Sequence, residues 1–206
     1  MCFARFIYLC AYFVFMRRYI AILASGSGSN AENIINYFEK NNQVKIALLL
    51  SNKENAGVLE RARRLDVPSV VVPKNDWETG EKVMTLLRQY QIDFIVLAGF
   101  LLQIPEILLR AYPHKIINIH PALLPKFGGK GMYGNKVHEA VVAANEKESG
   151  ITVHYVNEHY DEGEIIFQTK CEILPEDFPE DVAKKVHALE YAYFPKIIEQ
   201  VTGNDT

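Results

Sequence analysis

The chain has few cysteines: Cys2, Cys10 and Cys171 are the only three in 206 residues, an odd number with no C-x-x-C spacing. That pattern argues against a disulfide framework and against a cysteine-based zinc cluster, and no metal is expected. It suits a reducing compartment, so a cytoplasmic location is expected. An excess of either charge is also missing. The chain carries 22 Lys and Arg against 25 Asp and Glu, a net charge of -3, which leaves no broad basic surface for nucleic acid. Internal repeats, low-complexity tracts and interdomain linkers are absent. What is present is apolar residues, 49% of the chain, enough to bury one core without staples.

One long apolar run stands apart. Residues 1–15 (MCFARFIYLCAYFVF) are short for a membrane span, and no membrane partner is expected. They also lack the order of a secretory signal, because Arg17 and Arg18 come after the run and no A-x-A site follows. Met16 stands just before the first strand-like segment and reads as the natural start. Residues 1–15 are then a doubtful extension, from an upstream start or as an apolar segment, and 16–206 are one domain.

From there strands and helices alternate. Residues 19–24 (YIAILA) form an apolar run suited to a central parallel strand, followed at once by Ser25-Gly26-Ser27-Gly28-Ser29-Asn30 and a helical spacing over 31–38. A glycine-rich turn from strand to helix exposes backbone N–H groups where an anion binds readily. The spacing Gly26-x-Gly28-x-x-Ala31 also fits a loose dinucleotide fingerprint. That fold expects a carboxylate closing the second strand, and residues 44–50 end instead in Ser51-Asn52-Lys53. A tight turn with no ligand is the remaining alternative.

Further along, a basic helix is expected over 57–65, a strand over 69–72, a helix over 76–90, a strand over 94–98 and a helix starting at Pro105. Apolar Leu101 and Leu102 follow the fourth strand, where they could line a pocket for a flat heterocycle or pack under a loop. The fifth strand, 116–120, places Asn118 and His120 two residues apart and so on one face, and Pro121 ends its pairing. An amide donor beside an imidazole suits acyl chemistry, with one holding an oxyanion and the other handling a proton. The same pair could simply close a turn. The glycine-rich 126–134 reads as a mobile surface loop, followed by a helix over 135–144. A hairpin over 150–156 and 164–171 encloses the polar segment 157–163, with Asp161 at its glycine turn. A last helix over 179–200 takes Asp177 as N-cap with Glu180 in a capping-box-like pair, and Pro195 should kink or restart it. The alternation implies an α/β doubly wound, mostly parallel, Rossmann-like sheet with helices on both faces, a C-terminal hairpin and a helix, and ligands outside the strands' carboxyl ends.

Four segments, Ser25-Gly26-Ser27-Gly28-Ser29-Asn30, Val96-Leu97-Ala98-Gly99-Phe100, Asn118-Ile119-His120-Pro121-Ala122-Leu123-Leu124-Pro125 and Asp161-Glu162-Gly163, occur in an order that resembles the glycinamide ribonucleotide formyltransferases, within the folate-dependent formyltransferase family. The resemblance spans about residues 18–200. It implies transfer of the formyl group of 10-formyltetrahydrofolate to the amine of glycinamide ribonucleotide in purine synthesis. It further implies that Asn118, His120 and Asp161 are catalytic, with Asp161 keeping His120 protonated or relaying a proton through water. On the same basis Gly28, Ser29 and Asn30 would hold the nucleotide phosphate, and Glu190 with His187 would contact the ribonucleotide. Leu101, Leu102, Gln103, Ile104 and the loop of Asn157, Glu158, His159, Tyr160 and Asp161 would grip the pterin, with Asn118 beside it. Departures are present. Leu101-Leu102-Gln103-Ile104 stands where relatives often carry an arginine, and Lys74 is the nearest basic candidate for the folate. Two alternatives remain, a formyltetrahydrofolate deformylase and a non-catalytic phosphometabolite-binding module.

Overall fold

The computed structural model describes residues 17–203. The extension at 1–15 and the start at Met16 lie outside the described residues. Seven strands form one sheet in the order β3-β2-β1-β4-β5-β6-β7. They are β1 (Arg18–Leu23), β2 (Val44–Ser51), β3 (Ser69–Val71), β4 (Phe94–Leu97), β5 (Ile116–His120), β6 (Glu148–Tyr155) and β7 (Ile165–Glu172). The first five run parallel; β6 is antiparallel to β5 and β7 to β6. The helices are α1 (Ser29–Phe38), α2 (Gly57–Arg64), α3 (Lys74–Thr79), α4 (Glu81–Gln89), α5 (Glu106–Ala111), α6 (Asn135–Ala143) and α7 (Pro179–Gly203).

Central strands are apolar on both faces because both faces are covered. Along β1, Ile20 and Ile22 join the core under α1, α6 and α7, while Ala21 and Leu23 join a second core under α3, α4 and α5. Burying each such isoleucine or leucine contributes about 2 kcal/mol. The chain runs outward from β1 in both directions, to β2 and β3 on one side and to β4 and β5 on the other. The carboxyl ends of β1 and β4 therefore diverge, and a crevice opens there.

Three local expectations are corrected. The helix expected over 76–90 is two helices, α3 and α4, broken at Gly80 with φ 72°. A Cβ at Gly80 would come within 2.7 Å of Ile107 and 2.9 Å of Pro105, so close packing of the joint against α5 requires glycine there. At the start of α7 the capping pair is shifted by one residue. The Asp181 carboxylate, not that of Glu180, reaches back to the Phe178 N–H, while Asp177 accepts from the Leu174 N–H and from Lys185. Pro179 is the first helical residue, which places Asp181 at the third. Pro195 does not restart α7, which continues through it. Proline supplies no N–H for the Tyr191 carbonyl one turn earlier, and the Asn33 side-chain amide donates to that carbonyl at 3.1 Å instead. Among the described residues, no helix is long and apolar enough to cross a membrane.

Candidate active site

A cleft of about 590 Å³ opens where β1, β4 and β5 end. Its walls include the turn 25–30, the segment 97–104, Asn118, His120 and residues 129–134. They also include His138, His154, Asn157, Tyr160, Asp161, His187 and Glu190. At one end Gly28 caps α1 with φ 80°, a left-handed conformation that turns the chain from strand into helix. Ser29 and Asn30 are the first residues of α1, so their N–H groups belong to the unpaired set at a helix N-terminus.

The polar centre lies at the end of β5. Asn118 and His120 both line the cleft, as their spacing requires. His154 joins them because β6 pairs with β5 in a register that sets His154 opposite Asn118. Asp161 comes from the β6–β7 connection, held at φ 59°. One carboxylate oxygen lies 3.5 Å from His120 Nδ1 and accepts the Gly129 N–H at 2.9 Å. The other lies 3.4 Å from Asn118 Nδ2 and 3.5 Å from His154 Nε2. Asp161 is thus the hub where three elements meet. Gly128 permits this approach, since a Cβ there would sit 2.5 Å from Leu124 and 3.2 Å from the Asp161 Cβ.

Proton positions follow from the partners. His154 Nδ1–H donates to the Tyr155 carbonyl at 2.8 Å, which leaves Nε2 to accept the Asn118 amide N–H at 3.1 Å. His120 Nε2–H donates to the Phe127 carbonyl at 2.8 Å, so its Nδ1 is the atom that faces Asp161. Burial pushes the His120 pKa below 6.5 and outweighs the upward pull of Asp161 and the Phe127 carbonyl. The expectation that the carboxylate keeps His120 cationic is corrected accordingly: desolvation favours the neutral ring. Asp161 goes the other way. Burial alone would raise its carboxyl, but the neighbouring His154 and His120 imidazoles and the Gly129 N–H together hold it below 3.8, and it stays ionised.

At the glycine-turn end, the buried Glu190 carboxylate accepts from Asn30 Nδ2 at 2.9 Å and from His187 Nδ1 at 2.7 Å. Asn30 Oδ1 and His138 Nδ1 are buried beside it without a partner. The Glu190 hydrogen bond raises the His187 pKa above 6.5. A group whose folded pKa is raised stabilises the fold fully below its unfolded pKa and loses that contribution as pH rises through the folded value. The stability lost in His187→Ala should therefore be larger at about pH 5.5 than at about pH 9, measured by urea unfolding. An equal loss at both would remove the charge contribution.

The other arm of the cleft is walled by Leu97, Leu101, Leu102, Ile104 and Val156, with Gln103, Asn157, His159 and Tyr160 at its mouth. Glu158 is not on the wall; its backbone carbonyl accepts from the Gln103 side chain at 2.7 Å, tying the two loops together. Lys74 is exposed at the start of α3 and does not line the cleft, whereas Lys53 and Lys130 do. Segment 126–134, read as a surface loop, supplies part of the wall and the Phe127 and Gly129 contacts. Sequence reasoning missed His154, His138 and both of those backbone groups. The Thr152-Val153-His154 alternation carried a signal for His154, but only the pairing register directs that ring at Asn118.

A family model described as Formyl transferase matches residues 18–198. Over 188 residues the chain is 40% identical to the chloroplastic phosphoribosylglycinamide formyltransferase of Arabidopsis thaliana, covering 88% of this chain and 64% of that protein. It is 38% identical to the phosphoribosylglycinamide formyltransferase of Bacillus subtilis, covering 89% of this chain and 94% of that one. The chain therefore spans just under two thirds of the plant relative's length and nearly all of the bacterial one's. Among solved structures, the phosphoribosylglycinamide formyltransferase of Anaplasma phagocytophilum superposes with a TM-score of 0.83 at 34% identity, over 91% of this chain and 88% of that one. The Bacillus halodurans protein of the same name gives a TM-score of 0.82 at 36% identity, over 92% and 97%. Matched along almost all of its described length, the chain belongs to the formyl transferase family.

Proposed function

We propose that this chain transfers the formyl group of 10-formyltetrahydrofolate to the amine of glycinamide ribonucleotide. The observation that carries the reading is the meeting of Asn118, His120 and His154 around Asp161 in the same cleft as the glycine turn. The apolar arm, with backbone groups of 101–104 and 157–161 at its edge, suits a flat pterin. The turn at Gly28, Ser29 and Asn30 suits a phosphate, and His187 and Glu190 lie between that turn and the polar centre.

Attack of an amine on a formamide carbon places negative charge on the formyl oxygen and then requires the nitrogen to lose a proton. The Asn118 amide N–H that rests on Asp161, with a nitrogen-to-oxygen distance of 3.4 Å, turns to the oxyanion, a kind of donor worth about 3 kcal/mol in the transition state. His154 orients that amide by accepting its other proton. Neutral His120 takes the proton from that nitrogen at Nδ1, directly or through a water, with Asp161 as counter-ion to the new imidazolium. The C=O then re-forms as the bond from the formyl carbon to the folate nitrogen breaks, and the imidazolium returns the proton to that leaving nitrogen. A cytoplasmic location, with no nucleic-acid or membrane partner, accords with the cysteine usage and the charge balance.

Following tetrahydrofolate release from 10-formyltetrahydrofolate, with and without glycinamide ribonucleotide, tests the reading. Release should require the acceptor. Acceptor-independent release would identify a deformylase, and no release in either case would leave a binding module.

A further inference from the structure

The turn at 26–30 does not hold its own shape; α2 holds it from behind. The Val58 N–H donates to the Gly26 carbonyl at 3.2 Å, and Arg61 Nε–H donates to the Ser27 carbonyl at 2.8 Å. At Gly28 the backbone of α2 comes so close that a Cβ would sit 2.7 Å from the Val58 Cα. With Gly26 and Ser27 carbonyls occupied by α2, the turn is free to present N–H groups to the cleft.

The Arg61 guanidinium has a second partner. It pairs with Glu32, which Arg64 also reaches. Glu32 lies in the first turn of α1, where a carboxylate favours the helix but sets negative charge within one turn of the cleft's anion-binding end. Its side chain is only 23% exposed, so water screens it incompletely. Arg61 is the more sheltered of the two cations, at 32% against 62% exposure for Arg64, and its charge is the less screened.

We infer that Arg61 is a positioning residue for phosphate recognition: it anchors the Ser27 carbonyl and cancels the Glu32 charge, so that the turn meets a dianion without a competing carboxylate. This rests on the reading of the turn as the phosphate site given above. Arg61 itself does not line the cleft.

Steady-state kinetics on the full chain provides the test. Arg61→Met keeps the alkyl stem and should raise KM for glycinamide ribonucleotide about tenfold. Both kcat and KM for 10-formyltetrahydrofolate should stay within about twofold, the signature of lost ground-state binding of one substrate. Adding Glu32→Gln should recover about threefold in ribonucleotide KM, because the carboxylate then left to the more exposed Arg64 alone goes with it. A merely structural role for Arg61 would show no such recovery, since that second change removes a further ion-pair partner. An unchanged ribonucleotide KM in Arg61→Met, or a double variant no better than the single, overturns the inference. Ser29→Asp separates this failure from that of the underlying reading. It places a carboxylate in the turn itself; if it leaves the ribonucleotide KM unchanged, the phosphate does not bind there. If it raises that KM and Arg61→Met does not, the phosphate site stands and the role of Arg61 falls.

Discussion

His120→Ala should lower kcat by about 10²- to 10⁴-fold, the usual contribution of a placed general acid or base, with both KM values little changed. His120 is almost fully buried, its Nε2 is committed to the Phe127 carbonyl, and its Nδ1 faces the ionised Asp161 carboxylate. That leaves one ring nitrogen able to accept a proton, beside a counter-ion already in place. Because burial holds the pKa below 6.5, the ring is neutral at physiological pH and ready to act as a base. The wild-type kcat should therefore fall as pH drops through that lowered value, on the side where the ring is already protonated. Truncation also strands the Phe127 carbonyl and costs about 1–3 kcal/mol of stability, so an unfolding curve must accompany the rates. A folded His120→Ala protein with near-normal kcat would remove the ring from the chemistry.

A comparable loss by a different route is expected from Gly163→Ala. A Cβ at Gly163 would lie 1.6 Å from the Tyr155 carbonyl oxygen and 3.3 Å from His154 Nδ1. Neither is the free end of a flexible side chain. The Tyr155 carbonyl is the group that accepts the His154 Nδ1–H, and it lies where β6 leaves the sheet. Making room for one methyl group therefore displaces the carbonyl that orients His154, and with it the ring that accepts the Asn118 amide. Forced overpacking of this kind costs about 3 kcal/mol. For a domain of this size that lowers the midpoint of thermal unfolding by roughly 6–12 °C. Activity should fall even below the melting transition, because only the His154 ring separates the displaced carbonyl from Asn118. A Gly163→Ala protein with wild-type Tm and kcat would mean that the β6–β7 connection shifts freely, and that the tight fit does not hold His154 in place.

The two expectations draw on different layers of information. Asn118 and His120 were legible in the sequence because strand periodicity alone puts them on one face and Pro121 ends the strand there. The glycine turn was legible because a strand followed by Gly26-Ser27-Gly28 and a helical spacing leaves few backbone solutions. His154, the Phe127 carbonyl and the Gly129 N–H were not legible, since each depends on how a distant segment lies against β5. Even Asp161, marked by the resemblance alone, becomes a hub only when the hairpin connection folds back across the strand end.

The break at Gly80 and the shifted cap of α7 follow the same division. Propensity and spacing could name a helix over 76–90, but the need to pack the joint against Pro105 and Ile107 exists only in the assembled fold. The cap lies one residue later than the spacing suggests because Asp177 is taken up by the Leu174 N–H and by Lys185 in the preceding turn, which leaves Asp181 to reach back to the Phe178 N–H.

The sequence by itself determined the alternation of strands and helices, the turn that ends β1 and the amide and imidazole at the end of β5. These rest on local periodicity and on the backbone limits of glycine and proline. Only the tertiary structure decided which protons those groups carry. That depends on burial and on partners from β6, the hairpin connection and the loop after Pro125, which the chain brings together across tens of residues.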